Sequence, residues 1–165
     1  MKSPFPMSES RSKNEKQLVR FLDVIAAAGK PKAFSHNPAG FVRKFGRFYD
    51  PKQQPPREYA HGIPGLCYRN ASKLAKKHRE VVYVEGYALG VIPVAHAWCV
   101  DLITGAIIET TWRERGTLYY GVPFLTTFLL QAPEPPFVDD WERDFPVLRE
   151  SNGGLRTVIM NGGRP

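Results

Sequence analysis

The 165-residue sequence predicts one α+β domain with ragged ends, and three observations carry that expectation. Apolar residues recur at helical spacing up to residue 78; β-branched and aromatic runs separated by turn signals follow; and a 42% hydrophobic content is enough for one core.

Residues 1–14 are polar and are expected to form a disordered arm. From Glu15 the pattern changes. Leu18, Phe21, Leu22 and Ile25 lie at helical spacing, Ala26 to Ala28 continue the helix, and Gly29 ends it before Pro31. Asn37 and Pro38 read as the N-cap and first turn of a short second helix, whose stripe of Phe41, Phe45 and Phe48 alternates with Arg43, Lys44 and Arg47. Residues 15–57 thus form a basic helical N-terminal region, followed by a core over residues 58–150. The stretch "DPKQQPPREYAHGIPG", residues 50–65, has too many prolines and glycines to continue a helix and must cross the fold as a loop.

A third helix begins at Cys67. Cys67, Ala71, Leu74, Ala75 and His78 share its inner face, while Arg69, Lys73, Lys76 and Lys77 lie mainly outside it. Then "VVYVEGYALGVI" (81–92), "VAHAWCVD" (94–101) and "AIIETTW" (106–112) read as an antiparallel meander. "TLYYGVPF" adds a strand, "FLTTFLLQ" a short helix capping the sheet, and "DDWERDF" a helical turn. Residues 151–165 are glycine-rich around "LRTVIM" and are expected to form a flexible tail.

Charge is distributed unevenly. Net charge is +7, yet residues 1–57 alone carry +8, so the basicity belongs to the N-terminal third. That third suits an acidic protein or nucleic acid as partner, or serves as a solubilising surface. No apolar run is long enough for a signal-peptide core or a membrane span, and two cysteines cannot form a multi-bridge framework. These features point to a cytoplasmic, reducing compartment and to no membrane partner.

Chemistry concentrates on three residues. A helix N-terminus has partial positive charge and unsatisfied N–H groups, which favour a thiolate and leave donors for an oxyanion, so Cys67 stands where its helix would activate it. His96 lies mid-strand in "VAHAW", where alternation puts it on one face with Val94, Trp98 and Val100, opposite Ala95, Ala97 and Cys99. Cys99 is therefore a poor partner for it. If Leu102 to Gly105 form a four-residue hairpin loop, Asp101 opposes Ala106, Trp98 opposes Glu109, and Glu109 becomes the diagonal neighbour of His96 on the same face. Asp101 points away and reads as a turn former. His61, Asn70 and Trp98, which shares the face of His96, are candidates for oxyanion or substrate binding. Glu85 is a candidate for a substrate amine or for bracing His96, or is an edge-strand surface residue. The histidines and cysteines show no zinc spacing, and no glycine-rich phosphate loop is present, so neither metal nor cofactor is expected.

Gly65 and Cys67 at a helix start, an intervening strand near "EGYA", then "HAW" followed by an acid and "TxW" resemble the core of the transglutaminase-like and papain-like cysteine superfamily. The resemblance covers about residues 59–125. It implies that core fold, a thiol-dependent acyl transfer such as that of a peptidase, amidase, deconjugase or transglutaminase-like enzyme, and a peptide or protein substrate. That family usually has Asp at the third position, where this chain has Glu109, and papain-like proteases place an oxyanion-holding Gln where His61 stands. The competing expectation is a non-catalytic binding or inhibitor module that uses the basic N-terminal third.

Overall fold

The computed structural model describes residues 12–28, 37–138 and 158–160. In chain order its elements are α1 (Lys13–Ala28), α2 (Pro38–Phe45), β1 (Arg47–Tyr49), α3 (Cys67–Lys77), β2 (Val81–Leu89), β3 (Pro93–Asp101), β4 (Ile107–Ile108), β5 (Leu118–Pro123) and α4 (Thr126–Gln131). The fold is α+β. Its antiparallel sheet has the order β1-β5-β2-β3-β4, so β5 inserts between β1 and β2 where a simple meander would have continued past β4.

The helices differ from expectation at their ends. α1 starts at Lys13, two residues early, because Ser12 and Glu15 form a reciprocal capping box: the Ser12 N–H donates to Glu15 Oε2 at 2.7 Å and the Glu15 N–H to Ser12 Oγ at 3.2 Å. Its expected end at Gly29 lies outside the described residues. Asn37 caps α2 by accepting the Gly40 N–H at 2.7 Å, and its Nδ2 donates to the Ile25 and Ala26 carbonyls, tying α2 to the end of α1. Phe48 leaves the Phe41–Phe45 stripe because α2 stops at Phe45. Gly46 then turns into β1, and a Cβ at Gly46 would meet the carbonyl oxygens of Val42 and Gly121.

A core on one sheet face joins Leu18 and Leu22 of α1, Phe41 and Val42 of α2, Ala71 and Ala75 of α3, and Tyr83, Ala97, Cys99 and Val122 of the sheet. A second cluster on the opposite face holds Tyr49, Val82, Val84, Trp98, Val100, Ile107 and Tyr119. The basic N-terminal region and the following core do not separate, since β1 is part of the sheet and α1 and α2 pack into the first cluster. Val158 to Met160, which fall in the expected flexible tail, are pinned: Phe124 bridges Ile159, and the Leu125 N–H donates to the Val158 carbonyl at 2.9 Å. Burial of Val158 and Ile159 explains this anchorage. The expected helical turn over 139–145 lies outside the described residues.

β4 departs furthest from the expected meander. Its pairs, Cys99 with Ile108 and Val100 with Ile107, have the register that the four-residue hairpin loop predicts, and the Asp101 N–H donates to the Ala106 carbonyl at 2.9 Å. Asp101 forms the turn, its Oδ1 accepting the Ile103 and Thr104 N–H groups. The strand then ends after two residues instead of running to residue 112. Glu109 causes the departure, because its Oε1 accepts the N–H groups of Thr111 (2.9 Å) and Trp112 (3.1 Å) and so curls the chain around its own carboxylate. Among the described residues no helix is long and apolar enough to cross a membrane.

Candidate active site

The loop before α3 sets the position of Cys67. Gly65 has a φ of 81°, a left-handed conformation that favours glycine, and it lets the chain turn into the helix. Leu66 occupies the N-cap position and provides no side-chain cap, so the first-turn N–H groups of α3 keep their donor capacity at the cysteine. Cys67 is half-buried and free. Asn70 staples the preceding loop: its Oδ1 accepts the Ile63 N–H at 3.2 Å, while its Nδ2 donates to the Ile63 carbonyl at 2.8 Å and to Thr111 Oγ1 at 2.9 Å. The Gly62 N–H adds a bond to the Thr110 carbonyl at 2.8 Å. Residues 109–112, after leaving β3, are thereby tied to the start of the cysteine helix.

His96 is the centre of the site. It is buried, and its Nε2 lies 3.0 Å from Glu109 Oε2 and 3.2 Å from Oε1. The Cys67 side chain also acts on the imidazole, whose Nδ1 is not engaged by Glu109. The Trp112 ring stacks on the imidazole with centroids 4.0 Å apart and planes 17° apart, and Trp98 lies near-parallel at 6.3 Å. Burial on its own would depress this histidine. The Cys67 and Glu109 side chains and their charges outweigh burial and raise its pKa to about 9. Burial likewise opposes a charge on Glu109, but His96 and the Thr111 and Trp112 N–H groups hold it below the ordinary carboxylate range.

Cys67 and His96 meet around an edge of the sheet. α3 packs on the Ala97–Cys99 face of β3, where the Cys99 thiol donates to the Ala71 carbonyl at 3.1 Å, whereas alternation turns His96 to the other face with Trp98. The two side chains therefore approach each other past an edge of β3, beyond the point where β4 stops pairing with it.

The remaining candidates occupy different positions. His61 is exposed, and no hydrogen bond among the described residues directs it toward Cys67. Asn70 spends its amide on the loop and on Thr111, which makes it a structural clamp and not an oxyanion donor. Trp98 is fully buried beneath His96 and is a packing residue, so it does not line an open substrate surface. Glu85 is not on an edge, since β2 is the central strand, and it does not brace His96, since it faces the opposite cluster. Its carboxylate accepts the Tyr83 hydroxyl at 2.7 Å and the Phe137 and Val138 N–H groups at 2.6 and 2.8 Å, anchoring the chain beyond α4. Cys99 is fully buried, and burial with the nearby Glu109 charge pushes its thiol far up.

Two contributors are not legible in the local sequence pattern. Tyr119 donates to Glu109 Oε2 at 2.9 Å and accepts the Gly116 N–H at 2.8 Å, so Glu109 is held from both oxygens. Trp112 covers the imidazole. Alternation in "LYYGVP" places Tyr119 and Gly121 on one face, but linking that face to Glu109 requires knowing that β5 pairs with β2. A Cβ at Gly121 would stand 2.6 Å from the Trp98 ring, so this glycine makes room for the aromatic layer beneath the histidine. No group of metal-binding side chains occurs among the described residues.

No family of proteins, no curated protein and no solved structure matches this chain.

Proposed function

We propose that the protein is a thiol-dependent acyl-transfer enzyme with Cys67 as nucleophile, His96 as acid and base, and Glu109 as the group that orients and charges the imidazole. The observation that carries this reading is the buried His96–Glu109 pair, with the helix-start Cys67 near enough to raise the histidine's pKa. Cys67 Sγ attacks a carbonyl carbon, and the S–C bond forms while His96 holds the thiol proton. The tetrahedral oxyanion is met by first-turn N–H groups of α3. His96 then gives its proton to the leaving group as the C–N or C–O bond breaks, leaving a thioester. Water or an amine attacks that thioester, loses its proton to His96, and releases Cys67.

The arrangement supports a core of the papain-like or transglutaminase-like kind, with Glu109 in the role that the family usually gives to Asp. A peptide or protein is the substrate class, and the two free cysteines suit a reducing compartment such as the cytoplasm.

The test is acylation by p-nitrophenyl acetate followed by intact-mass and peptide mapping. One acetyl group should appear on Cys67 in a burst and then turn over, with no burst in Cys67→Ala. Slow acetylation spread over lysines, unchanged in Cys67→Ala, would overturn the proposal.

A further inference from the structure

Residues 109–112 lie beyond the last β3–β4 pair, so strand pairing does not fix them. α3, which carries Cys67, packs on the sheet face opposite His96. The cysteine and the His96–Glu109 pair are thus set against each other by something other than the sheet, and Asn70 spans the two parts. It lies three residues after Cys67, on the same side of the first turns of α3. Its whole amide is engaged: Oδ1 accepts the Ile63 N–H at 3.2 Å, and Nδ2 donates to the Ile63 carbonyl at 2.8 Å and to Thr111 Oγ1 at 2.9 Å. Thr111 in turn gives its N–H to Glu109 Oε1 at 2.9 Å, and Glu109 Oε2 lies 3.0 Å from His96 Nε2. Hydrogen bonds therefore run without a break from the helix turn that follows the cysteine, through Thr111 and Glu109, to the imidazole.

We propose that Asn70 is a positioning residue of the reaction: through Thr111 it holds the His96–Glu109 pair in line with Cys67, although its amide bonds to neither the sulfur nor the imidazole. The inference rests on the acyl-transfer reading and adds a residue to it. Two features beyond the chain of bonds support it. The loop leaves the amide little slack, since a Cβ at Gly62 would stand 2.2 Å from Asn70 Oδ1 and the Gly62 N–H is itself bonded to the Thr110 carbonyl at 2.8 Å. Thr111 is buried, and without Asn70 its hydroxyl keeps only a long 3.5 Å contact with Thr110 Oγ1 among the described residues. The segment that carries Glu109 and the Trp112 ring over the imidazole then loses its side-chain tie to the cysteine helix. Reactivity at a thiol paired with a histidine depends on that alignment, and a displacement of 1 Å at a reacting pair costs up to about 10²-fold.

The test compares the full chain with Thr111→Val, Thr111→Ser and Asn70→Ala, each checked for folding by circular dichroism and urea melts. Thr111→Val keeps the backbone N–H to Glu109 and nearly the same shape but removes the acceptor of the Asn70 amide, so it carries the test even where Asn70→Ala fails to fold. The readout is the pH profile of Cys67 alkylation by iodoacetamide, followed by mass spectrometry from pH 6 to 9. In folded Thr111→Val the rate at pH 6.5 should fall about tenfold, while the rate at pH 9 stays within about twofold of wild type. Thr111→Ser, which keeps the hydroxyl, should restore the wild-type profile. A merely structural clamp would lower the urea midpoint and leave the profile of the folded protein where it was. A wild-type profile in folded Thr111→Val, with wild-type Cys67 reacting well ahead of glutathione at pH 6.5, would overturn the positioning role and leave the acyl-transfer reading standing. Wild-type Cys67 reacting no faster than glutathione at that pH would overturn both.

Discussion

Raising the pH should weaken the fold through His96, and the size of the effect follows from the site. In the unfolded chain the imidazole titrates at its ordinary 6.5, and in the folded protein at about 9. The native state therefore holds the proton more tightly. Its contribution is fully present below pH 6.5 and is lost progressively as pH rises from there through about 9. Converted at 1.36 kcal/mol for each unit, the total is about 3 kcal/mol, a large fraction of a small domain's stability. Glu109 acts at the opposite end: its folded value is lowered, so its contribution is present above its ordinary 4.5 and is lost as pH falls through the folded value. Urea denaturation at pH 6, 8 and 10 measures the basic limb. Running His96→Gln in parallel subtracts the titrating groups that do not interact with His96. The difference between wild type and variant should shrink by about 3 kcal/mol between pH 6 and 10. A difference that stays flat over that range, or a His96 proton resonance titrating near 6.5, would refute the charged-pair account.

Further expectations concern individual partners. Cys67→Ala should keep the fold but bring His96 titration down from about 9, because one of the two side chains that raise it is lost, and an NMR titration reads this directly. Tyr119→Phe removes the donor to Glu109 Oε2 and strands the Gly116 N–H. It should cost about 1–3 kcal/mol in urea melts and move His96 titration upward, since more charge is left on the oxygen facing the ring. Glu85→Ala strands the Phe137 and Val138 N–H groups and should destabilise by about 2 kcal/mol or more while leaving Cys67 alkylation unchanged. In a turnover assay, His96→Ala should lose roughly 10²- to 10⁴-fold, with Glu109→Gln falling between it and wild type because the amide accepts the ring N–H but carries no charge.

How much of the fold and site was legible in the sequence depends on whether local pattern or long-range pairing decides each feature. Asn37–Pro38, the start of α3 at Cys67 and the His96 face follow from capping, glycine placement and alternation, all of which act within a few residues. The β3–β4 register is similarly local, set by the Asp101 turn. What the pattern misjudged is the length of β4, because the β propensity of "IIETTW" is outweighed by the hydrogen bonds that Glu109 makes to its own following backbone. Glu85 was misjudged for a different reason. A carboxylate in a strand reads as surface until β5 is known to cover β2 on its far side and residues 137–138 are known to end against it. Tyr119 was missed on the same ground, since its contact with Glu109 depends on the insertion of β5 between β1 and β2.

The rate of Cys67 alkylation by iodoacetamide between pH 6 and 9, in wild type and in His96→Gln, tests the central claim most directly. If His96 activates the cysteine, the wild-type thiol should react at pH 6 to 7 at least about tenfold faster than in the variant, and the two rates should converge as the pH approaches 9. Identical rates in both proteins across the whole range would show that His96 leaves the sulfur an ordinary thiol, and would contradict the account.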